Sequence, residues 1–216
     1  LSIVTPIVKA GGTVVFQPDS VSAVTSTITG TSNITANGVA TSTVTITLLD
    51  AHSNPVSGQV PTFSATNTGS TNAYFACSAS DASGVSTCTM TSTKAEVKAL
   101  SILTPVVKVG GNVTFIAGAA SIVNSSISGT GPVVSDGSTV SSVTITLLDA
   151  YSNPISGTTP TFSATNTGAG NSYGACSSSD TPLPPHLLHI AARIAVKARL
   201  RRAPRLRLTG ASTSPV

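Results

Sequence analysis

The segment 43–69, TVTITLLDAHSNPVSGQVPTFSATNTG, returns 99 residues later as SVTITLLDAYSNPISGTTPTFSATNTG at 142–168, with 22 of 27 positions identical. A match of that density makes the chain a duplication, so its fold must work twice in succession. The offset of 99 holds without a gap from Leu1 to Asp180: Leu1-Ser2-Ile3 returns as Leu100-Ser101-Ile102, and Gly11-Gly12 as Gly110-Gly111. Within the repeat Val44, Ile46 and Leu48 alternate with Thr43, Thr45 and Thr47. That is the period-two pattern of a strand with one face on a core and one in water. The Ser-Asn-Pro and Ser-Gly of 50–58 break the pattern into a turn, because proline fixes its own backbone angle and restricts the residue before it. A second strand is expected over 61–66, with Phe63 and Ala65 on one face and Thr62, Ser64 and Thr66 on the other.

The rest of the composition agrees with an all-β chain. Thr and Val are abundant, 18 Gly and 13 Pro punctuate the sequence, and no long helical period interrupts it. One repeat of this length fits one seven-stranded sandwich. The formal net charge of +4 conceals a division. Residues 1–180 hold four lysines and seven acids, a balance of −3, whereas 181–216 hold seven basic residues and no acid, a balance of +7. The repeats are therefore mildly acidic, and all the basic character belongs to the tail.

Several motifs now stand in order: Asn37-Gly38 with Ala40, then TVTITLLDAHSNPVSG, then TFSAT, and later Gly84-Val85 leading into CTMTSTKA. Together they resemble the bacterial immunoglobulin-like domain (group 1) of the intimin and invasin adhesin family, over about 21–180. The resemblance implies Ig-like β-sandwiches in tandem, in extracellular stalks that hold an adhesive tip away from the cell, and it implies no catalysis. It also implies limits, since the family's domain starts shortly before the Asn-Gly element and ends after the strand that follows Thr-Lys-Ala. On that division 1–22 is the closing strand of a preceding domain and 23–121 a complete bacterial Ig-like domain. Residues 122–180 are then the front half of a second, and 181–216 a non-homologous basic tail. The chain, opening at Leu1 without a signal peptide, is expected to be a piece of a longer protein. Its place would be the bacterial cell surface, with outer-membrane attachment supplied by parts not present here. No apolar run in it is long enough to span a bilayer.

The strongest local chemical signal is Cys77 with Cys88, placed symmetrically about Asp81-Ala82-Ser83-Gly84, a turn with Asp first and Gly last. If that turn joins antiparallel strands, the two cysteines face each other closely enough for a disulfide. The alternative is a reduced, half-buried pair. Cys176 matches Cys77, but Leu187 stands where Cys88 would, so Cys176 is expected to be an unpaired thiol. No Cys-x-x-Cys or histidine spacing supports a zinc site. Asp50 and Asp149, beside Asn54-Pro55 and Asn153-Pro154, are expected to hydrogen-bond turn backbone. A calcium ion between domains is the weaker reading, for it needs several converging oxygens. His52 is replaced by Tyr151 in the second repeat, and the many serines have no His and acid at a recognisable spacing. No catalytic residue and no cofactor is expected.

The tail abandons the repeat at Thr181. Residues 186–200 have the stripes of a basic amphipathic helix, so the tail reads as irregular or partly helical. The preferred explanation is an out-of-frame translation, since an ungapped match ends at one residue and turns into Arg, Ala, Pro and Leu. It lacks interleaved aromatics, and no nucleic-acid partner is expected. Functionally, a structural stalk or spacer module leads. Its partners are the neighbouring Ig-like domains of the same chain. The alternative is that the domain binds a host receptor or glycan through its end loops, around His52 and 67–74. An accessory module of a secreted hydrolase is a third reading. Translating the gene in its other two frames beyond Asp180 should give a sequence like SGVSTCTMTSTKAEVK; if neither frame does, the frameshift explanation fails.

Overall fold

The computed structural model describes residues 1–166 and 170–180. Twelve strands run through them, and there is no helix among the described residues. The chain divides into two units, the first being Leu1–Ser121 together with Leu148–Pro154. The second, among the described residues, is Ile122–Leu147 with 155–166 and 170–180. The proposed amphipathic helix of the tail lies outside the described residues.

A short hairpin, β1 (Ser2–Ile3) and β2 (Lys9–Ala10), opens the first unit. It is followed by β3 (Thr27–Gly30), β4 (Ile34–Thr35), β5 (Ser42–Thr47), β6 (Thr62–Ala65), β7 (Asn72–Tyr74), β8 (Val85–Ser92), β9 (Val97–Thr104) and β10 (Lys108–Ile116). These form two four-stranded sheets, ordered β3-β5-β8-β7 and β4-β10-β9-β6. The sandwich thus has eight strands where seven were expected. The addition is β4, two residues that pair parallel with the end of β10, Ile34 against Phe115. A segment that short carries no alternation to read.

Burial follows the period-two rule where the pattern is cleanest. Along β5, Ser42, Val44 and Ile46 are buried, and their partners across the ladder on β8 are Met90, Cys88 and Ser86. The apolar faces of both sheets meet in one cluster. Val44, Ile46, Leu48 and Met90 come from one side and Phe63, Leu100, Ile102, Val113 and Phe115 from the other. Burying each such side chain stabilises the fold by about 1.5–3 kcal/mol, which makes this cluster the main source of cohesion in the unit.

Two glycines are set by close approach. Between Val109 and Asn112 the β9–β10 register shifts. At Gly111 a side-chain carbon would stand 3.0 Å from the Ile28 carbonyl oxygen, so β10 can lie against β3 only without one. Gly84 has φ +75 and closes the turn into β8, where an added carbon would collide with the Leu48 carbonyl. Asp81 completes that turn by accepting from the N–H groups of Ser83 and Val85 at 2.8 and 2.9 Å.

In the second unit β11 (Ser126–Gly129) pairs antiparallel with β12 (Val143–Thr146). Val143 and Ile145 are its buried apolar residues, with Leu147, Phe162 and Cys176 packed against them. No helix among the described residues is long and apolar enough to cross a membrane.

Gly84→Ala should destabilise the first unit by about 2 kcal/mol or more, from the positive φ and the collision together. Urea unfolding measures it, and a loss below about 0.5 kcal/mol, the usual size for an exposed surface site, would contradict the account.

Candidate functional site

The turn that follows LLD occurs twice, and one carboxylate organises each copy. Asp50 Oδ1 accepts from the backbone N–H of His52 and of Asn54, both at 2.8 Å. Its Oδ2 accepts from Asn54 Nδ2 at 2.9 Å and from Asp19 N at 3.1 Å. Asp149 repeats the set with Tyr151 N and Asn153 N at 2.8 Å, and with Asn153 Nδ2 and Gly118 N at 2.9 Å. The Asn side-chain amide, chiefly, and the backbone donors hold the Asp50 carboxyl well below the usual carboxylate range against the opposing effect of burial. At Asp149 burial is the largest influence and pushes the other way, yet the hydrogen bonds from Asn153, Gly118 and Tyr151 outweigh it and the pKa is lowered. Asp136, capping a turn of the second unit, falls to about 2 under bonds from Thr139 N, Thr139 Oγ1 and Ser138 N.

This arrangement bears on the calcium reading. Both oxygens of each carboxylate already face N–H donors, whose positive ends a cation would have to displace. Among the described residues no group of three or more His, Cys, Asp or Glu is gathered as metal ligands would be.

The two turns differ in their surroundings. Asn153 is fully buried: its Nδ2 donates to Thr93 O and its Oδ1 accepts from Ala95 N, each at 2.9 Å. Beside it the Tyr151 hydroxyl donates to Asn37 O at 2.9 Å. Asn54, its counterpart, is exposed, as is His52, the counterpart of Tyr151. Sequence reasoning missed this difference, because the Ser-Asn-Pro of both copies is identical.

A disulfide joins Cys77 to Cys88 with a Cα–Cα distance of 4.2 Å. Cys88 belongs to the core cluster and Cys77 packs at its margin, so the bond ties the segment after β7 to β8. Cys176 is a free, half-buried thiol. Leu187, opposite it in the repeat, lies outside the described residues.

In the loop 67–74 Asn67, Asn72 and Tyr74 form one local hydrogen-bond network. Asn67 Oδ1 accepts from Asn72 N at 2.9 Å, and Asn72 Nδ2 donates to Thr66 O at 2.9 Å and to the Tyr74 hydroxyl at 3.0 Å. The Tyr74 hydroxyl bonds both Ala65 N and Ala65 O at 3.1 Å, while its ring stands edge-on to Phe63 with centroids 5.3 Å apart. The second repeat has the same pair, Phe162 and Tyr173, at 5.4 Å.

One buried charge was also missed. Lys98 is fully buried, with Nζ 2.6 Å from Glu96 Oε1 and 3.3 Å from Thr66 O, and 5.9 Å from the Phe115 ring centroid. Burial opposes the Glu96 charge, but hydrogen bonds from Lys98 and Thr68 prevail and lower its pKa. Glu96 stands one residue before β9, so no strand alternation in the sequence marks the pair.

Residues 22–120 match the family model described as invasin, domain 3. That span is one repeat long. No curated protein matches the chain significantly. Among solved structures the chain is similar to invasin, described as a bacterial integrin-binding protein, at 22% identity and a TM-score of 0.57, covering 83% of this chain and 35% of that one. It is also similar to FdeC, an Escherichia coli adhesin, at 20% identity and TM-score 0.55, covering 83% and 58%. InvD of Yersinia pseudotuberculosis follows at 19% and 0.51, covering 65% and 45%. The chain therefore spans between about a third and somewhat over half of these structures. At such identities the likeness is one of fold, and the class is the Ig-like β-sandwich. Taken with the family match, residues 22–120 are a bacterial immunoglobulin-like domain of the intimin and invasin adhesin family.

Three outcomes check this geometry. Denatured, unreduced chain should expose one reactive thiol, Cys176, of its three cysteines; three would refute the disulfide. Reducing it should lower the melting temperature by roughly 10–20 °C, since a loop this short contributes up to about 3 kcal/mol. Carboxyls whose folded pKa is depressed contribute stability above their unfolded value of about 4 and lose it as pH falls through the folded one. The melting temperature should accordingly stay level from about pH 7 to 5 and fall below about pH 4, and Asp50→Asn should flatten that fall.

Proposed function

We propose that the chain is a structural spacer from the stalk of a bacterial surface adhesin, built of serial Ig-like beads and performing no catalysis. In this reading 23–121 is one complete bead, 122–180 the front half of the next, and 1–22 the closing segment of a bead before it. Residues 181–216 are a non-homologous tail. The partners are neighbouring beads of the same chain, and attachment to the outer membrane belongs to other parts of the protein.

The observation that carries the reading is that the turn 148–154, the counterpart of 49–55 and by sequence an interior part of the second bead, belongs to the first unit, with Asn153 and Tyr151 bonded to Thr93, Ala95 and Asn37. A bead that holds a piece of its successor is suited to serial assembly. The hairpin at the other end supports it. Leu100, Ile102, Val113 and Phe115 are buried in the bead, whereas their counterparts Leu1, Ile3, Val14 and Phe16 are exposed, Phe16 by 92%. Gly110 and Gly111 lie against Ile28, whereas Gly11 and Gly12 meet nothing. A strand pair carrying core residues outward is fitted to a body other than the bead that follows it.

The second reading is that the bead binds a host receptor or glycan through its end loops, in favour of which stands the description of invasin as integrin-binding. Against it, the side chains of Asn67 and Asn72 bond nearby backbone, at Asn72 N and Thr66 O, and the bond from Asn72 recurs in the second repeat from Asn171 to Thr165 O. Displayed on a bacterial surface in its parent protein, a variant with His52, Asn67 and Tyr74 each replaced by Ala should attach to host cells as well as the parent does. Loss of attachment with the fold retained would favour the receptor-binding reading.

A further inference from the structure

The exposed turn at Asp50–Asn54 has a twin in the same molecule whose environment is known, and the comparison assigns it a role. Asn153 spends both amide hydrogens and its oxygen: one hydrogen on Asp149 Oδ2, the other on Thr93 O, and the oxygen on Ala95 N. Asn54 spends one hydrogen on Asp50 Oδ2 at 2.9 Å, and its remaining donor and its oxygen face solvent. The carboxylate beneath holds the two amides alike, since Asp50 and Asp149 each receive the same four N–H groups, one of them from the preceding segment at Asp19 or Gly118. The turn at Asn54 is therefore formed in the same bonding state as the engaged one, with its outer donor and acceptor unfilled.

We propose that Asn54 is a latch for a preceding bead, taking the backbone C=O and N–H of that bead's residues equivalent to Thr93 and Ala95. His52, in the place of Tyr151, lies beside the backbone carbonyl equivalent to that of Asn37. The proposal rests on the reading of 1–22 as a closing segment, and it commits to one occupant, a bead of this same sequence class. What recognises that bead is a primary amide reading a C=O and an N–H two residues apart on an extended strand end, as Asn153 reads Thr93 and Ala95. An asparagine is suited to this because its two hydrogens and one oxygen allow the same amide to brace the turn and to bridge outward.

The test extends the full chain by placing a copy of residues 23–99 directly before Leu1, which continues the repeat because Leu1 is the counterpart of Leu100. Amide hydrogen exchange is then followed at the added copy of Ala95 and along the hairpin 1–16. Asn153→Ala, in the chain as it stands, sets the scale by accelerating exchange at Ala95 about three- to tenfold, the loss of one hydrogen bond. In the extended chain Asn54→Ala should accelerate exchange at the added Ala95 by a similar factor, and His52→Tyr should slow it. If the hairpin amides gain protection from the added bead but neither substitution changes exchange at the added Ala95, the latch is refuted while the closing-segment reading stands. If the hairpin gains no protection, both are refuted.

Discussion

A carboxylate surrounded by four N–H groups is the interaction on which the rest of the bead depends. The strand β5 must end, and the chain must cross to the opposite sheet before β6 can begin. Asp50 makes that possible by taking the N–H groups that the turn would otherwise leave without partners, including one from residue 19, thirty-one positions earlier in the chain. Asp50 itself is buried, and a buried polar group left without partners costs more than a made bond contributes. The same Asp therefore does two things at once: it shapes the turn and ties the segment entering the bead to the end of β5. Val21 bridges Asp50 and Ala120 bridges Asp149, so the tie recurs one period later.

The core then follows from alternation, and alternation was readable. Val44, Ile46 and Leu48 stood out because threonines separate them; Phe63 joins them as expected, and Met90 completes the cluster. The disulfide was readable for a related reason, since a turn with Asp first and Gly last set two strands in opposition. The match is less direct than simple symmetry suggests. Tyr74 opposes Met90 in the ladder, and Phe75 N reaches Thr89 O, but by Ser78 the partner has moved to Thr87. A slip of one residue between these points brings Cys77 across from Cys88.

What could not be read has a common cause. The strand β4 is two residues long, and its parallel partner is some eighty positions away, so neither periodicity nor turn chemistry marks it. Lys98 is a charged residue within an apolar strand, buried only because Glu96 and the Thr66 carbonyl meet its ammonium. Asn54 and Asn153 are beyond local reading altogether. Their neighbours are the same residues, and the difference between an exposed amide and a fully buried one arises from what lies against them. Local sequence determines the turn, and the partner determines its burial.

In the proposed serial array, that separation suits a module that is stable both with and without a neighbour. The bonds that shape the turn lie between Asp and residues within five positions of it, apart from the single tie to Asp19 or Gly118, and they form whether or not a bead is docked. The outward bonds use atoms that water can serve equally well, so leaving Asn54 unoccupied strands no buried polar group. A latch that instead relied on an apolar plug would expose a greasy face whenever its partner was absent. Polar recognition over a preformed turn adds no apolar surface at this point, and the hydrophobic cohesion of the first unit comes from its interior, where Val44, Ile46, Leu100 and Phe115 supply it.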